Sequence, residues 1–330
     1  MHVKILGSAA GGGFPQWNCA CPNCRALRAT GQSSAGVSPA VAGTSRPPHI
    51  LQARNQTQVA ISADSKTWFL LGASPDLRAQ IESTSELQPR GSADDAVRQS
   101  PIVGAVLLNA DIDHVVGLLL LRELQPLRVY ATESIRQILS EDNSMLAMLQ
   151  RVPNQLIWIA FQPGKRFALH DPAGNDSGMH CRALSLGVHF PSYVSEQRRS
   201  QLNPNEASLG LIVESPSGKR LAYMPAVPQL TAELLKEFDS ADLLLFDGTF
   251  WSDDELIRVQ GSGQTALQMG HVAVASPAGS LSQLAQVRRP RKIYIHINNT
   301  NPMLNEAGPE YRQVRDAGWE LAEDGWQVEL

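Results

Sequence analysis

The sequence predicts an α/β layered fold, an αββα sandwich of two mixed β-sheets with helices outside. Three observations predict it. The chain has 330 residues, 43% of them apolar and 18% charged, enough apolar material for a sizeable core. Each half runs as a strand hairpin first and as strand–helix units afterwards. Four segments, LLNADIDH, LLLFDGTF, LQMGHVAVA and KIYIHINN, are apolar runs that stop at a polar or ionisable group. Strand ends on one edge of a sandwich are where a site can be assembled from distant sequence. The chain is read as a single domain over 1–330.

The elements follow in order. MHVKILGSAA is a first strand entering a turn, where Gly11, Gly12 and Gly13 let the backbone bend sharply. Residues 31–53 are rich in Ser, Gly, Pro and Ala and read as a flexible loop. QVAISAD and KTWFLLGAS are two strands joined by the turn ADSK. PDLRAQIES is a short helix with Pro75 near its first turn. IVGAVLLNA is a fully apolar strand, then come the Asp-His turn and a helix over GLLLLREL. LRVYATES gives a strand and a helix start. The middle is strand-rich (LIWIAF, RFALH, HCRALSL), with NDSGMH read as a turn. LGLIVES, the turn PSGK and RLAYMPAV form a second hairpin. Thr231 caps a helix over TAELLKEFDSA. ADLLLFDGTFW and KIYIHINNT are strands, and the chain ends in a helix and a terminal strand.

The formal net charge of −4 argues against a nucleic-acid or membrane-surface binder that relies on a general positive field. No window approaches the ~20 apolar residues of a membrane span, and the N-terminus has no long apolar signal region. A soluble cytoplasmic protein is expected.

Three of the four cysteines crowd into CACPNC, as Cys19, Cys21 and Cys24. Such gaps suit thiolates converging on one ion better than disulfide closure, and predict a structural Zn²⁺. The fourth ligand must come from a distant segment. A His is the better chemical choice; Asn299 is a weaker one, since a carboxamide oxygen is a poor zinc ligand. Cys181 reads as a small core residue. Asp113, His114, Asp247, His271 and His296 all stand at ends of apolar runs and suit a divalent metal with the groups that orient its ligands. A His after a strand is often only a capping or packing group; that three of them terminate apolar runs is what sets these apart. His189 is a reserve candidate. The three glycines are a weak phosphate-loop signal, because no Lys-Ser/Thr follows.

LNADIDHVVGL resembles the metal-binding motif of the metallo-β-lactamase superfamily, H-x-H-x-D-H. The whole chain resembles the pyrroloquinoline quinone (PQQ) biosynthesis protein B family within it. The resemblance rests on VKILGSAAGGGFPQWNCACPNC, LLGASPDLR, DIDHVVGLLLLRE, LLLFDGTFWSDDEL, QMGHVAVA, IYIHINNTNPML and the terminal DGWQVEL. It implies a metallo-β-lactamase-like sandwich in which Asn109 and Asp111 replace the two leading histidines while Asp113 and His114 keep their places. Ala226 stands where hydrolytic members place a metal-bridging Asp. His296 stands at the last His, and Asp247 with His271 resembles a relay of some hydrolase branches. Cys19, Cys21 and Cys24 resemble the zinc clip of the related phosphodiesterase branch, whose fourth ligand falls here on Asn299.

A site so thinned argues against two-metal hydrolysis. One ion held by His and carboxylate with open positions is instead the pattern of non-haem Fe(II) and oxygen chemistry. The resemblance therefore implies PQQ synthesis through Fe²⁺-dependent (or other divalent-metal) hydroxylation of the tyrosine-derived ring of a glutamate–tyrosine precursor. His114 and His296 are the expected ligands, with Asp113 or Asp111 as the carboxylate. His271, oriented by Asp247, is a ligand or a proton shuttle. The catalytic set is thus His271, Asp247 and Asp111, and the metal set Asp113, His114 and His296. Expected partners are the dipeptide-like precursor, PQQ itself, other PQQ biosynthesis proteins and a second copy in a homodimer, with no nucleic acid. The alternative is a non-catalytic carrier of PQQ or its precursor that aids export; a weaker one is a surviving one-metal hydrolase.

Overall fold

A computed structural model describes residues 1–31, 51–91, 97–123, 125–150 and 152–330. Most of the loop expected over 31–53 lies outside the described residues. Among the described residues the strands form two seven-stranded sheets. Seven strands in chain order are β1 (His2–Gly7), β2 (Gln58–Ser62), β3 (Trp68–Leu71), β4 (Ile102–Val106), β5 (Leu127–Ala131), β6 (Leu156–Ala160) and β7 (Arg166–His170). The other seven are β8 (Asp176–Gly187), β9 (Ser208–Glu214), β10 (Arg220–Met224), β11 (Leu243–Asp247), β12 (Arg291–Ile295), β13 (Trp319–Leu321) and β14 (Gln327–Glu329). One sheet has the order β14-β1-β2-β3-β4-β5-β6 and the other β13-β12-β11-β10-β9-β8-β7. Both are mixed: β2 and β3 pair antiparallel while β3, β4, β5 and β6 run parallel. In the other, β7, β8 and β9 are antiparallel while β10, β11, β12 and β13 run parallel.

The chain divides into two compact units. The first comprises residues 1–6, 58–219 and 327–330. Its hairpin β2–β3 is the one expected, with the register Val59–Leu71 and Ile61–Phe69 and all of both strands buried. The turn between them is held by Asp64, whose carboxylate accepts from the Lys66 and Thr67 amides, both at 2.8 Å. These bonds hold the Asp64 carboxyl below its ordinary value. The first unit departs from expectation at two places. NDSGMH is not a turn: Asp176 to His180 are the start of β8, pairing with β7 and β9. From Met179 onward alternate residues are buried (Met179, Cys181, Ala183), the period of a strand with one covered face. The helix expected over GLLLLREL is a single α-turn, Ile112–Val115, followed by a 3₁₀ segment, Val116–Leu121.

The second unit comprises residues 7–57 and 220–326. Strand β11, LLLFD, lies between β10 and β12 and is buried along its whole length. That is why it reads as a continuous apolar run rather than an alternation. Its Phe246 ring meets those of Phe238, Tyr294 and Trp319, with the Tyr294 and Trp319 rings stacked at 4.1 Å. Complete burial of such a side chain contributes about 1.5–3 kcal/mol. Thr231 caps the helix Ala232–Asp239 as expected, its hydroxyl accepting from the Leu234 amide at 3.3 Å. No helix among the described residues is long and apolar enough to cross a membrane.

Candidate metal centres

In the first unit the candidate residues follow β4. The Asn109 carboxamide accepts from the Asp111 amide at 3.2 Å, and Asp111 then opens the short helix that carries Asp113 and His114. The backbone of this turn is tied to the loop after β3: the Ala73 amide donates to the His114 carbonyl at 2.6 Å and the Gly117 amide to the Ala73 carbonyl at 3.0 Å. Gly117 permits this approach, because a Cβ there would come within 2.8 Å of the Ala73 carbonyl carbon and meet the Ser74 oxygen. The Asp113 carboxylate lies 3.6 Å from His114 Nε2. Asp111 faces His189, with 3.5 Å between carboxylate and Nε2. That carboxylate raises the His189 pKa against the opposing effect of burial. Tyr193 fixes the same loop, donating its hydroxyl to the Ala110 carbonyl at 2.6 Å. His189 was the reserve candidate of the sequence, and nothing in SLGVHFPSY signals that its partner is Asp111.

In the second unit three predicted residues converge. Asp247 ends β11 opposite Ile295, which places it beside His296, the residue that follows β12. His296 adopts a left-handed backbone, φ 61°, uncommon for a residue with a side chain and a mark of local strain at sites. His271 follows a short 3₁₀ turn that Gly270 closes at φ 88°. Asp247, His271 and His296 are all buried, and one donor atom of each lies within 4.8 Å of the others. The Asp247 carboxylate accepts from the Val227 amide at 2.8 Å and from the Thr249 amide at 3.0 Å, and lies 2.8 Å from His271 Nδ1. The Thr249 hydroxyl is the hub that sequence reading missed. It lies 2.7 Å from Asp247 Oδ1, 2.8 Å from His296 Nδ1 and 3.1 Å from His271 Nδ1. Its only sequence signal is a position two residues past Asp247 in DGTF. Ala226, just past β10, offers no ligand atom.

The cysteine clip also lies in the second unit. Cys19, Cys21 and Cys24 bring their sulfurs within 4.8 Å of one another. Cys21 caps the helix Pro22–Ala29, and its sulfur accepts from the Cys24 amide at 3.5 Å. Asn299 closes the cluster: its carboxamide nitrogen lies 3.1, 3.6 and 3.4 Å from the sulfurs of Cys19, Cys21 and Cys24. The Cys21 thiol is lowered to about 5, first by the hydrogen bond from the Cys24 side chain, and Cys24 is raised by the same contact. One thiolate among neighbouring thiols is a donor set that a soft cation completes. A tetrahedral zinc needs sulfurs about 3.8 Å apart, which this cluster can meet. Cys181 is separate, buried in β8, with burial pushing its thiol up.

Beside the clip runs the loop His296–Asn301. The Asn23 side chain donates to the carbonyls of Asn299 and Asn301, at 3.1 and 3.0 Å. Thr300 donates to Glu255, a carboxylate whose pKa burial raises to about 7. Asn301 donates to the carbonyls of Gly248 and Thr249, at 2.9 and 3.3 Å. The loop that ends in the clip thus starts at His296.

Known proteins are similar to this chain in sequence and fold. The profile of the β-lactamase superfamily domain matches residues 67–297. Coenzyme PQQ synthesis protein B of Methylorubrum extorquens (strain PA1) is 37% identical over 330 residues, covering 100% of each chain. Coenzyme PQQ synthesis protein B of Gluconobacter oxydans (strain 621H) is 39% identical, covering 100% of this chain and 99% of its own. The crystal structure of Zn²⁺-bound PqqB from Methylobacterium extorquens matches with a TM-score of 0.84 at 35% identity, with 100% of each chain covered.

Proposed function

The chain belongs to the coenzyme PQQ synthesis protein B family of the β-lactamase superfamily and serves PQQ biosynthesis; from that premise we propose that it acts as a one-metal oxidoreductase on a glutamate–tyrosine-derived precursor. The observation that carries this reading is the buried Asp247–Thr249–His271–His296 group, two imidazoles held by one carboxylate and one hydroxyl. Two-metal hydrolysis needs ligands for a second ion, and Asn109 and Ala226 are poor substitutes.

His114, His296 and Asp113 are assigned as ligands of the reactive metal, an Fe²⁺ site by the chemistry of its N/O donors. When bound, that ion supplies oxygen activation for hydroxylating the phenol-derived ring. His271, held through Nδ1 by Asp247, presents Nε2 to take or return a proton during the reaction. Asp111 with His189 forms a charged pair suited to orienting the polar end of the precursor. The second metal is a structural Zn²⁺ on Cys19, Cys21 and Cys24. The similar PqqB crystal structure is Zn²⁺-bound, and the donor set here fits that ion. Asn299 becomes the fourth ligand when its carboxamide turns over to offer Oδ1 in place of Nδ2.

Turnover of a glutamate–tyrosine dipeptide by protein loaded with Fe(II), in air and with an added two-electron reductant that carries the second oxygen atom off as water, tests the reading. His114→Ala is expected to abolish it with the far-UV spectrum and melting temperature kept. A protein that takes up zinc at the cysteines and no second ion refutes it.

A further inference from the structure

The Thr249 hydroxyl lies within hydrogen-bonding distance of four groups: Asp247 Oδ1 (2.7 Å), His296 Nδ1 (2.8 Å), the His296 carbonyl (2.9 Å) and His271 Nδ1 (3.1 Å). A hydroxyl has one proton to give and two lone pairs to fill. The carboxylate and the carbonyl can only accept, and the carboxylate is the shorter contact and the stronger acceptor. The proton therefore goes to Asp247 Oδ1. The lone pairs are left for the ring nitrogens, and a ring nitrogen that meets a lone pair must carry hydrogen. His271 Nδ1 meets the same condition a second time at Asp247 Oδ2, 2.8 Å away.

We propose that Thr249 is a positioning residue, and that its single hydroxyl sets both His271 and His296 in the Nδ1–H tautomer, so that each keeps an Nε2 lone pair. The two rings lie nearly parallel, 19° apart with centroids at 5.4 Å, so one hydroxyl serves both. Asn301 keeps the hub in place. Its side chain is fully buried and donates to the carbonyls of Gly248 and Thr249 while accepting from the Met303 amide at 3.0 Å. The opposite polarity, with Thr249 donating to a ring nitrogen, moves that ring's hydrogen to Nε2 and removes its capacity to ligate. The proposal deepens the metal reading above and rests on it for its use, though the tautomers can be read without any metal.

The test uses the full chain labelled with ¹⁵N-histidine. Long-range ¹H–¹⁵N correlation spectra report which ring nitrogen carries hydrogen, with resonances assigned from His271→Gln and His296→Gln. Wild type is expected to show Nδ1–H at both residues. T249V, which keeps the shape and loses the hydroxyl, is expected to lose that preference at His296 and to bind Fe(II), titrated without oxygen, roughly 10- to 100-fold more weakly. T249S is expected to restore both. Should T249V fail to fold, T249A is expected to show the same loss. Wild-type tautomers in a folded hydroxyl-free variant, or Nε2–H at His296 in wild type, overturn the proposal. Wild-type Nδ1–H tautomers without Fe(II) uptake uphold it and overturn the metal reading instead.

Discussion

Glu255 and Thr249 show how much of the site's chemistry is set by residues that carry no motif. Cys19, Cys21 and Cys24 were legible because their spacing has few other uses, and Asp247, His271 and His296 because each ends an apolar run. A threonine after a strand and a glutamate opening a helix are too common to signal anything. Their roles come from neighbours 47 and 45 residues away, His296 and Thr300. Glu255 also gives a pH prediction. Folded, it keeps its proton up to about pH 7, because burial outweighs its bonds from Thr300 and the Trp251 amide; its ordinary value is 4.5. Between these values the folded state holds one more proton than the unfolded chain. This group's contribution to stability therefore falls as pH rises through the window and is least favourable above it. Glu255→Gln is expected to flatten that slope, checked by melting temperature from pH 4.5 to about 8. An unchanged slope would show that the residue does not titrate there.

At the scale of elements, apolar runs identified the parallel strands, and the β2–β3 hairpin was legible from two apolar runs and the turn between them. NDSGMH misled because its polar start hid the Met179–Cys181–Ala183 alternation that follows. The Leu-rich run after His114 is apolar enough for a helix, yet it forms a 3₁₀ segment, at whose second residue Gly117 meets the 73–74 backbone. That contact holds the Asp113–His114 turn. Gly117→Ala is expected to destabilise the protein by about 1–3 kcal/mol, the usual cost of overpacking, seen as a shifted denaturant midpoint. It should also weaken Fe(II) binding, since the turn must move to admit the methyl group. A Gly117→Ala protein with unaltered stability would show that the loop after β3 yields freely.

Across the whole molecule, the clip joins a segment near the start of the chain to one near its end. Cys24 and Asn299 are 275 residues apart, and ties between distant segments restrict the unfolded chain most. Cys21→Ser is accordingly expected to lose about one zinc per chain by elemental analysis and to lower the melting temperature. Retained zinc would remove Cys21 from the ligand set. The sequence offered Asn299 only as a weaker choice than a His for completing the clip, because the closeness of its carboxamide to the three sulfurs is made by the folded loop and not by spacing. The strained residue His296, φ 61°, stands three positions before Asn299 in that loop. Only two residues separate that strained backbone from the carboxamide that reaches the three sulfurs, so a change at the cysteines has a short covalent path to the histidine, and the clip doubles as a remote adjuster of the ring it never touches.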